Sequence, residues 1–391
     1  MKEKRRIACI LLTGLLVVAS TGKVHAQELS LYARSALLMD ASNGRVLYEE
    51  NGYAVMPMAS TTKIMTCILA LEWMDGASGE EKEKPVEVSA YAAKMPKVHL
   101  GMRSGELYRL EDLLYSLMLE SHNDTAVAIA EHIDGSVEAF SERMNKKALE
   151  LGCEHTNFIT PNGLDAEKKG KAHSTTAYDL GLIASYAIKN EKFLEIIGTR
   201  SYSFSELASG RSFQVANKNR FLDMMEGAVG IKTGFTGNAG YCFVGALMRG
   251  GKSFVSVALG SGWPPNKNWK WKDTQTLMQY GLEEFESKDM DKKFSYQPIR
   301  VKNGVKTEVG IAVEKKAEGE LILLLSEKDE TSVKREITEE LSAPVEEGAL
   351  VGYESYYVNG QVYKAYEIRT TESVELRTYF YCLRKIFVLY F

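Results

Sequence analysis

Three short motifs in this chain bring together residue types that can perform chemistry. They are Ser60-Thr61-Thr62-Lys63, Ser121-His122-Asn123 and Lys232-Thr233-Gly234. Each motif is common by itself, at a helix start, in a turn or at a strand end. Their order, and their separations of 61 residues from Ser60 to Ser121 and 111 residues from Ser121 to Lys232, are what a site with an active serine requires. Together the motifs predict serine acyl-enzyme chemistry.

The first motif predicts a nucleophile and its base. If a helix begins at Ser60, the side chains of Ser60 and Lys63 lie over the same turn. Lys63 can take the serine proton only when it is itself deprotonated. Burial in an apolar helix, with Lys232 as a second cation nearby, would lower its pKa. The sequence therefore predicts Ser60 as the nucleophile and Lys63 as the general base.

The second motif predicts a proton relay and a substrate-binding amide. Ser121 can relay a proton between Lys63 and the leaving amine, because a hydroxyl both donates and accepts. The Asn123 amide can hold a peptide carbonyl of the substrate. A turn at this point is expected to let both side chains point the same way, since residues two apart do not share a face of a continuous helix.

The third motif predicts a strand that binds substrate. Lys232 and the Thr233 hydroxyl can hold a carboxylate. Gly234 would let the substrate backbone approach closely, because it has no side chain. The backbone N–H groups of Ser60 and Phe235 are the expected oxyanion hole.

The helices that must position these motifs follow from apolar spacing. Residues 61–73 predict a helix that is apolar on nearly every side, as expected of a helix in a core. Further helical patterns cover residues 111–119 and 125–133, with the second motif between them. Asp124 is the predicted N-cap of the later helix.

Strand patterns lie on either side of this helical region. Asn43-Gly44 between apolar runs predicts a hairpin. Residues 228–232, 241–248 and 253–259 predict strands, followed by a helix over about 270–285. Strands at both ends with helices between them predict an α+β domain over residues 27–287, with an antiparallel sheet packed between helices.

The pattern changes after this domain. Residues 288–293 are predicted as a linker and residues 294–372 as a small all-β domain of short alternating strands. Residues 374–391 place apolar and aromatic side chains three and four apart, beside basic ones. This segment is too short and too charged to span a membrane, so we predict an amphipathic helix that lies on a membrane surface. The alternative is a helix docked on the protein itself.

The first 26 residues have the pattern of a secretory signal peptide. Basic residues within 2–6 precede an apolar run over 7–19, and Val24-His25-Ala26 offers small residues for cleavage after Ala26. A retained membrane anchor is the alternative, but the apolar run ends early. The prediction is an exported protein, peripheral at the outer face of the cytoplasmic membrane.

Composition argues against several other classes. The formal net charge is −4, and removal of residues 1–26 leaves −8, which is a poor match for nucleic acid. The histidines form no zinc pattern, so no metal or other cofactor is predicted. The cysteines beyond residue 26 show no metal or redox spacing and are expected to be buried free thiols: Cys67, Cys153, Cys242 and Cys382.

With these motifs on their expected elements, the chain resembles the low-molecular-mass penicillin-binding proteins, the serine-type D-alanyl-D-alanine carboxypeptidases. The resemblance covers roughly residues 30–390. Beyond the three motifs it includes residues 56–60, 112–119, 158–165, 174–179 and 227–234. It implies the fold shared by penicillin-recognising serine transpeptidases and β-lactamases, followed by a small β domain and a C-terminal anchor.

The resemblance also implies an activity and its partners. The activity is removal of the terminal D-Ala from peptidoglycan stem pentapeptides through a Ser60 acyl-enzyme, in cell-wall maturation. The partners are stem peptides ending in D-Ala-D-Ala, with β-lactam antibiotics as covalent inhibitors. His122 departs from the pattern, because Gly is common there; a solvated side chain is expected, or else an extra titrating group at the rim.

Two alternatives remain at this point. A β-lactamase of the related fold is one, because Glu154-His155-Thr156-Asn157 matches the E-x-x-N that supplies a deacylating carboxylate. The surrounding residues fit the carboxypeptidase pattern instead. The other alternative is an inert penicillin-binding sensor or a peptidoglycan-binding module. The presence of every catalytic side chain argues against this alternative.

Overall fold

A computed structural model describes residues 29–390 except Lys97 and Glu318. The predicted signal peptide lies outside the described residues. The chain divides into two compact units. The first contains residues 29–289 and 322–327, and the second contains residues 290–321 and 328–390.

Helices are concentrated in the first unit. They are α1 (Lys63–Gly76), α2 (Glu80–Glu83), α3 (Leu110–Leu119), α4 (Asn123–Asp134), α5 (Val137–Glu150), α6 (Ala177–Ala187), α7 (Glu191–Gly198) and α8 (Trp269–Glu284), with α9 (Tyr379–Tyr390) in the second unit. Short 3₁₀ turns span Ala59–Thr62, Ala92–Lys94 and Arg220–Asp223.

The strands of the main sheet lie near both ends of the first unit's sequence, and shorter strands lie between its helices. They are β1 (Ser35–Asp40), β2 (Val46–Glu50), β3 (Val86–Glu87), β4 (Leu107–Tyr108), β5 (Glu167–Lys168), β6 (Lys171–Ala172), β7 (Ser201–Ser205), β8 (Ser212–Ala216), β9 (Ala228–Thr236), β10 (Gly240–Arg249), β11 (Lys252–Leu259) and β12 (Glu286–Asp289). The later strands are β13 (Ile299–Lys302), β14 (Glu308–Val309), β15 (Ile311–Val313), β16 (Ile322–Leu325), β17 (Thr331–Ile337), β18 (Glu340–Ser342), β19 (Leu350–Val358) and β20 (Gln361–Thr370).

The main sheet of the first unit has the strand order β2-β1-β11-β10-β9, with every neighbouring pair antiparallel. Helices cover both of its faces. A Cβ on Gly181 of α6 would collide with Leu37, and one on Gly281 of α8 would collide with Leu38. Successive strand residues point to opposite faces, so α6 and α8 lie on opposite sides of β1. The predicted α+β fold, an antiparallel sheet between helices, is confirmed.

Helix α1 runs through the core of this unit. Every residue from Lys63 to Leu71 is buried, as the all-round apolar pattern predicts. The regular helix begins at Lys63 rather than at Thr61, because the Ala59–Thr62 segment is a 3₁₀ turn. Ser60 therefore lies in the turn that leads into the buried helix.

The prediction that Asp124 caps α4 is wrong. The helix begins at Asn123, its N-cap residue is His122, and no side-chain capping bond is made. The Asp124 carboxylate accepts hydrogen bonds from the backbone N–H groups of Leu100, Gly101 and Met102. Asp124 thus holds the 100–102 loop, because three unpaired amide donors outcompete a single capping bond.

Strand β16 belongs to the first unit, although the sequence pattern predicts it within the β domain. It pairs antiparallel with β12, from Glu286 with Leu325 to Asp289 with Ile322. Leu323, Leu324 and Leu325 are buried there. Strand alternation predicts that a segment is a strand but does not identify its partner, which here lies some 35 residues earlier.

The second unit is built from sheets β14-β13-β18 and β15-β20-β19-β17. A buried carboxylate, Glu354, accepts hydrogen bonds from four side chains: Lys316, Arg335, Tyr296 and Tyr356. Burial raises the pKa of Glu354, but these donors outweigh it and hold that pKa at about 2. The negative charge of Glu354 is therefore paired with donors, because an unpaired buried charge would be strongly destabilising.

Helix α9 begins later than the predicted amphipathic segment. Val374 is buried and pairs with Val345, and the backbone N–H of Arg377 donates to the Asn303 carbonyl. Residues 374–377 are thus part of the β unit. None of the described helices is long and apolar enough to cross a membrane.

The four described cysteines are free. Cys67, Cys153 and Cys242 are buried, as expected, whereas Cys382 on α9 is only half-buried. Burial raises the pKa of the Cys67 thiol far above its ordinary range, so this group is unreactive.

Candidate active site

Ser60 lies in a turn that its neighbours hold tightly. The Thr61 hydroxyl donates to the Met58 carbonyl at 2.6 Å, and the Thr62 hydroxyl donates to the Ala59 carbonyl at 2.8 Å. Ala59 has a φ of 48°, in the left-handed region that non-glycine residues rarely adopt. Backbone strain beside a candidate nucleophile is typical of a functional site.

Lys63 is buried and its Nζ has three oxygen neighbours. They are Ser60 Oγ at 2.9 Å, Asn123 Oδ1 at 2.9 Å and the Asn162 carbonyl at 2.6 Å. The Asn123 amide is oriented by its Nδ2, which donates to the Pro96 carbonyl at 3.2 Å. Lys63 therefore faces two oxygens that can only accept and one hydroxyl that can also donate.

This arrangement suits a neutral amine. A neutral Nζ has two N–H donors, which satisfy Asn123 Oδ1 and the Asn162 carbonyl, and one lone pair. That lone pair is left for the Ser60 hydroxyl proton. The Ser60 hydroxyl also lies 3.4 Å from the Asn162 carbonyl, a much longer contact. The geometry therefore directs the serine proton toward Lys63.

The electrostatics agree with this assignment. Burial lowers the pKa of Lys63 well below its ordinary value of 10.5, and the charge of Lys232 lowers it further, while Asp124 acts in the opposite direction. Burial also lowers the pKa of Lys232 from 10.5 to about 7. Two buried lysines whose charges interact thus favour loss of a proton from the pair.

Ser121 is held in an unusual backbone conformation. Its φ is 68°, in the left-handed region. Its Oγ is buried and has no hydrogen-bond partner among the described residues. The structure brings Asn123 of the same motif onto Lys63, but it joins Ser121 to Lys63 by no hydrogen bond. A buried hydroxyl without a partner is costly, so it marks a place where a substrate group or water would be bound.

The third motif lies within β9, at the edge of the main sheet, and β10 covers only one side of this strand. Lys232 is buried and its Nζ donates to the Thr233 carbonyl at 3.1 Å. A Cβ on Gly234 would lie 3.0 Å from the Ser60 nitrogen and 3.0 Å from Ala59 Cβ. Gly234 is therefore needed for the approach of the nucleophile turn itself, and not only of substrate.

Phe235 follows the motif at the exposed end of β9. Its side chain is 44% exposed and its ring centroid lies 4.6 Å from that of Tyr241, its partner across the strands. The free edge of β9 leaves backbone groups available for a substrate strand or an oxyanion. The side chain adds an apolar surface beside that edge.

His122 is not solvated, contrary to expectation. It is only 5% exposed. Its Nδ1 lies 2.8 Å from Ser116 Oγ and its Nε2 lies 3.4 Å from Glu120 Oε2. Burial lowers its pKa, although Asp124 and Glu120 raise it. The ring is buried because both of its nitrogens find partners at the end of α3.

Some residues that lie beside the nucleophile belong to none of the three motifs. Asn162 contributes a backbone carbonyl to Lys63, and no side-chain pattern could reveal that role. Gly163 has a φ of 81°, and a Cβ there would lie 2.0 Å from the Ala59 carbonyl oxygen. The Pro161-Asn162-Gly163 turn was the available signal, since such a sequence marks a backbone that must bend. His173 contacts Thr62 at 2.8 Å.

Glu154 is not among the hydrogen-bond partners of Ser60 and Lys63 in the described structure. Its side chain is exposed, and Asn157, the other residue of the E-x-x-N match, uses its amide to bind the Ala172 carbonyl. The oxygens found at Lys63 come from Asn123, Asn162 and Ser60. The chain therefore does not place this carboxylate as a β-lactamase mechanism requires.

Comparison with known proteins identifies D-alanyl-D-alanine carboxypeptidases among the relatives of this chain. The sequence model of the D-alanyl-D-alanine carboxypeptidase family matches residues 21–262. The D-alanyl-D-alanine carboxypeptidase DacF of Bacillus subtilis is 30% identical over 360 residues, which are 89% of this chain and 89% of DacF.

Solved structures agree with the sequence match. Penicillin binding protein 5 from Haemophilus influenzae, at 24% identity, has a TM-score of 0.72 over 90% of this chain and 99% of its own, which shows a shared fold. Penicillin-Binding Protein D2 from Listeria monocytogenes, solved with ampicillin bound, is 31% identical, with a TM-score of 0.54 over 66% of this chain and 100% of its own. With the family match covering more than half of its length, the chain belongs to the D-alanyl-D-alanine carboxypeptidase family of serine hydrolases.

Proposed function

We propose that Ser60 carries the acyl group when this carboxypeptidase removes the terminal D-Ala from peptidoglycan stem pentapeptides. The observation that carries the proposal is the position of Lys63 Nζ, 2.9 Å from Ser60 Oγ with its other two neighbours restricted to accepting hydrogen bonds. A serine becomes a useful nucleophile when a neighbouring base removes its proton.

The acylation step follows from these positions. Ser60 Oγ attacks the carbonyl carbon of the penultimate D-Ala while its proton passes to Lys63. The backbone N–H groups of Ser60 and Phe235 stabilise the negative charge on the carbonyl oxygen. The peptide C–N bond breaks, and the departing D-Ala amine takes up the proton, relayed from Lys63 through Ser121. Water then hydrolyses the ester and regenerates the Ser60 hydroxyl.

Substrate recognition is assigned to the edge strand and the second motif. Lys232 and Thr233 bind the terminal carboxylate of the peptide, and the Asn123 amide binds a peptide carbonyl. Burial lowers the pKa of Lys232 to about 7. A bound carboxylate would raise this pKa and so stabilise the charged lysine.

We also propose that β-lactam antibiotics acylate Ser60. The Listeria monocytogenes relative was solved with ampicillin bound, and the nucleophile and its base are present here. A strained lactam amide can be opened by the same attack as the peptide bond. The ester then persists if hydrolysis is slow, and among the described residues the exposed Glu154 is not a hydrogen-bond partner of Ser60 or Lys63.

Export and membrane association form a further part of the proposal. Tyr379 and Phe380 of α9 are 73% and 79% exposed, and Leu383 and Phe387 are also exposed. Arg384 and Lys385 lie on the same helix. An exposed aromatic surface with basic neighbours suits the headgroup region of a membrane. We place the enzyme at the outer face of the cytoplasmic membrane, peripheral through α9, after cleavage of residues 1–26.

One assay separates the proposed function from its rivals. Purified residues 27–391 are incubated with a peptide that ends in D-Ala-D-Ala and, separately, with penicillin. Release of D-Ala with a long-lived penicilloyl adduct supports the carboxypeptidase. Rapid turnover of the lactam would indicate a β-lactamase, and an adduct without D-Ala release would indicate a sensor.

A further inference from the structure

His173 lies outside the three motifs, yet it is connected to the nucleophile turn. It is buried, with 3% of its surface exposed. Its Nε2 lies 2.8 Å from Thr62 Oγ1, and its Nδ1 lies 2.9 Å from the backbone nitrogen of Ile159. One ring thus joins the segment before α6 to the start of α1 and to the loop that contains Asn162.

These two contacts determine which nitrogen carries the proton. A backbone N–H can only donate, so Nδ1 must accept from Ile159 and is unprotonated. The proton of the neutral ring is therefore on Nε2, which donates to Thr62 Oγ1. Burial, with a smaller effect of Lys63, lowers the pKa of His173 to about 4. The ring is accordingly neutral at neutral pH, as this pattern of donors needs.

Thr62 connects His173 to the Ala59–Ser60 peptide bond, which precedes the nucleophile. Because His173 donates to the Thr62 oxygen, the Thr62 proton is directed to the Ala59 carbonyl at 2.8 Å. The C=O and N–H of a trans peptide lie in one plane and point in opposite directions. Holding the Ala59 carbonyl therefore also fixes the direction of the Ser60 N–H.

We propose that His173 is a positioning residue for the oxyanion hole. It acts through Thr62 and Ala59 to aim the Ser60 N–H at the oxygen of the reacting carbonyl. The inference rests on the proposed acyl-enzyme function. A threonine at a helix start often bonds to a carbonyl three residues earlier. The feature specific to this chain is the buried histidine that orients that hydroxyl while Ala59 is held at a φ of 48°.

A double-mutant cycle tests whether His173 acts through Thr62. The variants are Thr62→Val, which removes only the hydroxyl, His173→Leu, which removes the donor, and the two combined. We expect each single change to lower the acylation rate by about 10- to 100-fold, since a small displacement in an active site has effects of that size. The double variant should be no slower than the slower single variant. The peptide kcat should fall with little change in KM, because the donor acts on the transition state.

Conservative variants and a control separate positioning from folding. Thr62→Ser keeps the hydroxyl and should acylate at close to the wild-type rate. His173→Gln can still donate from the Nε2 position and should recover much of the loss. His132 is a partly buried histidine in the last turn of α4, and it serves as the control. His132→Leu should change the melting temperature without changing the acylation rate.

Three results would overturn the inference: wild-type acylation by Thr62→Val, multiplicative effects of the two changes in the double variant, or equal losses for Thr62→Ser and Thr62→Val. If His173→Leu does not fold, His173→Gln, measured alone and together with Thr62→Val, takes its place in the cycle. A wild-type chain that penicillin does not acylate would instead overturn the proposed function, and that is visible before any variant is compared.

Discussion

At the residue scale, the site contains two buried lysines, and their positions assign them different functions. Lys63 touches the Ser60 hydroxyl, whereas Lys232 lies on the edge strand and donates to the Thr233 carbonyl. A base is needed for every substrate. A carboxylate-binding cation matters only for substrates that carry the carboxylate.

Lys63→Ala should abolish acylation by both peptide and penicillin. Loss of a positioned general base lowers rates by roughly 10²- to 10⁴-fold, and stopped-flow acylation with a chromogenic lactam measures this. Lys232→Ala is the matched comparison, and its main effect should be a higher KM for substrates with a terminal carboxylate. Wild-type acylation by Lys63→Ala would place the base elsewhere.

The lowered pKa of Lys232 has a consequence for stability. Between about pH 7 and 10.5 the unfolded chain binds a proton at Lys232 that the folded chain has released. The contribution of this lysine therefore becomes more favourable as pH rises through that window, and it is least favourable below it. Lys232→Met should be more stable than wild type at pH 7, on the order of 4 kcal/mol.

Urea unfolding of both proteins from pH 7 to pH 10 checks this prediction. The advantage of Lys232→Met should shrink as pH rises, because wild type regains the free energy that it lost by burying the charge. A difference that is independent of pH, or a variant less stable at pH 7, would show that Lys232 is not destabilised by burial.

The three motifs predicted that Lys63 lies beside Ser60, but not that Asn123, rather than Ser121, is hydrogen-bonded to Lys63. They could not predict Asn162, because its contribution is a backbone carbonyl. They gave the wrong environment for His122, because burial depends on Ser116 and Glu120, which become partners only when α3 and α4 are packed. Local sequence patterns cannot predict contacts that a backbone group makes or that join residues distant in the sequence.

At the scale of elements, the loop between α5 and α6 is as important as the 3₁₀ turn that carries the nucleophile. Gly163 packs against the Ala59 carbonyl, and Asn162 binds Lys63. The loop thus contacts the nucleophile turn, and Gly234 of β9 makes a similarly close approach to the same turn. Two glycines leave the turn little freedom to move.

Gly163→Ala should impair both folding and acylation. A Cβ would lie 2.0 Å from the Ala59 oxygen, so the nucleophile turn must shift, and acylation should fall by about 10²-fold. Gly170→Ala is the matched control. Gly170 has a φ of 74°, close to the 81° of Gly163, but no atom lies within 4 Å of the position of its Cβ.

The two variants share the backbone strain, which is about 1 kcal/mol for a left-handed residue. Thermal unfolding should therefore show a loss in both, while acylation should be impaired in Gly163→Ala alone. Equal acylation by the two variants would mean that the contact with Ala59 does not control the nucleophile.

Element types were predictable because apolar spacing differs between helix and strand, and α1, β10 and β11 follow that rule. The pairing partners of the strands and the first residues of the helices were less predictable. The 3₁₀ turn at Ser60, the pairing of β16 with β12, and the loop contacts of Asp124 all depend on distant residues. Each replaces a local preference by a contact that only the folded chain provides.

At the scale of the whole molecule, the proposed chemistry is confined to the first unit. Ser60, Lys63, Ser121 and Lys232 all lie within residues 29–289. The second unit has its own core and its own buried carboxylate at Glu354. Catalysis of a small soluble peptide should therefore not depend on α9.

Deletion after Thr378 tests the proposed membrane role of α9. The cut leaves Val374 and Arg377 in place, which the β unit needs. The truncated protein should no longer sediment with vesicles that contain anionic lipid, because the exposed aromatic side chains and the basic residues are lost together. Turnover of a soluble D-Ala-D-Ala peptide should be unchanged.

A full-length variant with Phe380→Ser and Leu383→Ser is the control for truncation, and it should also fail to sediment. Equal sedimentation of the truncated and full-length proteins would contradict the membrane role. Loss of peptide turnover on truncation would show that α9 is a folded part of the enzyme.

The central claim is that one oxygen, Ser60 Oγ, carries the acyl group from both peptide and penicillin. Intact-protein mass spectrometry of wild type and Ser60→Ala after exposure to penicillin, alongside D-Ala release by both proteins, tests it directly. We predict one penicilloyl adduct and D-Ala release for wild type, and neither for Ser60→Ala. A penicilloyl adduct on Ser60→Ala would contradict the account.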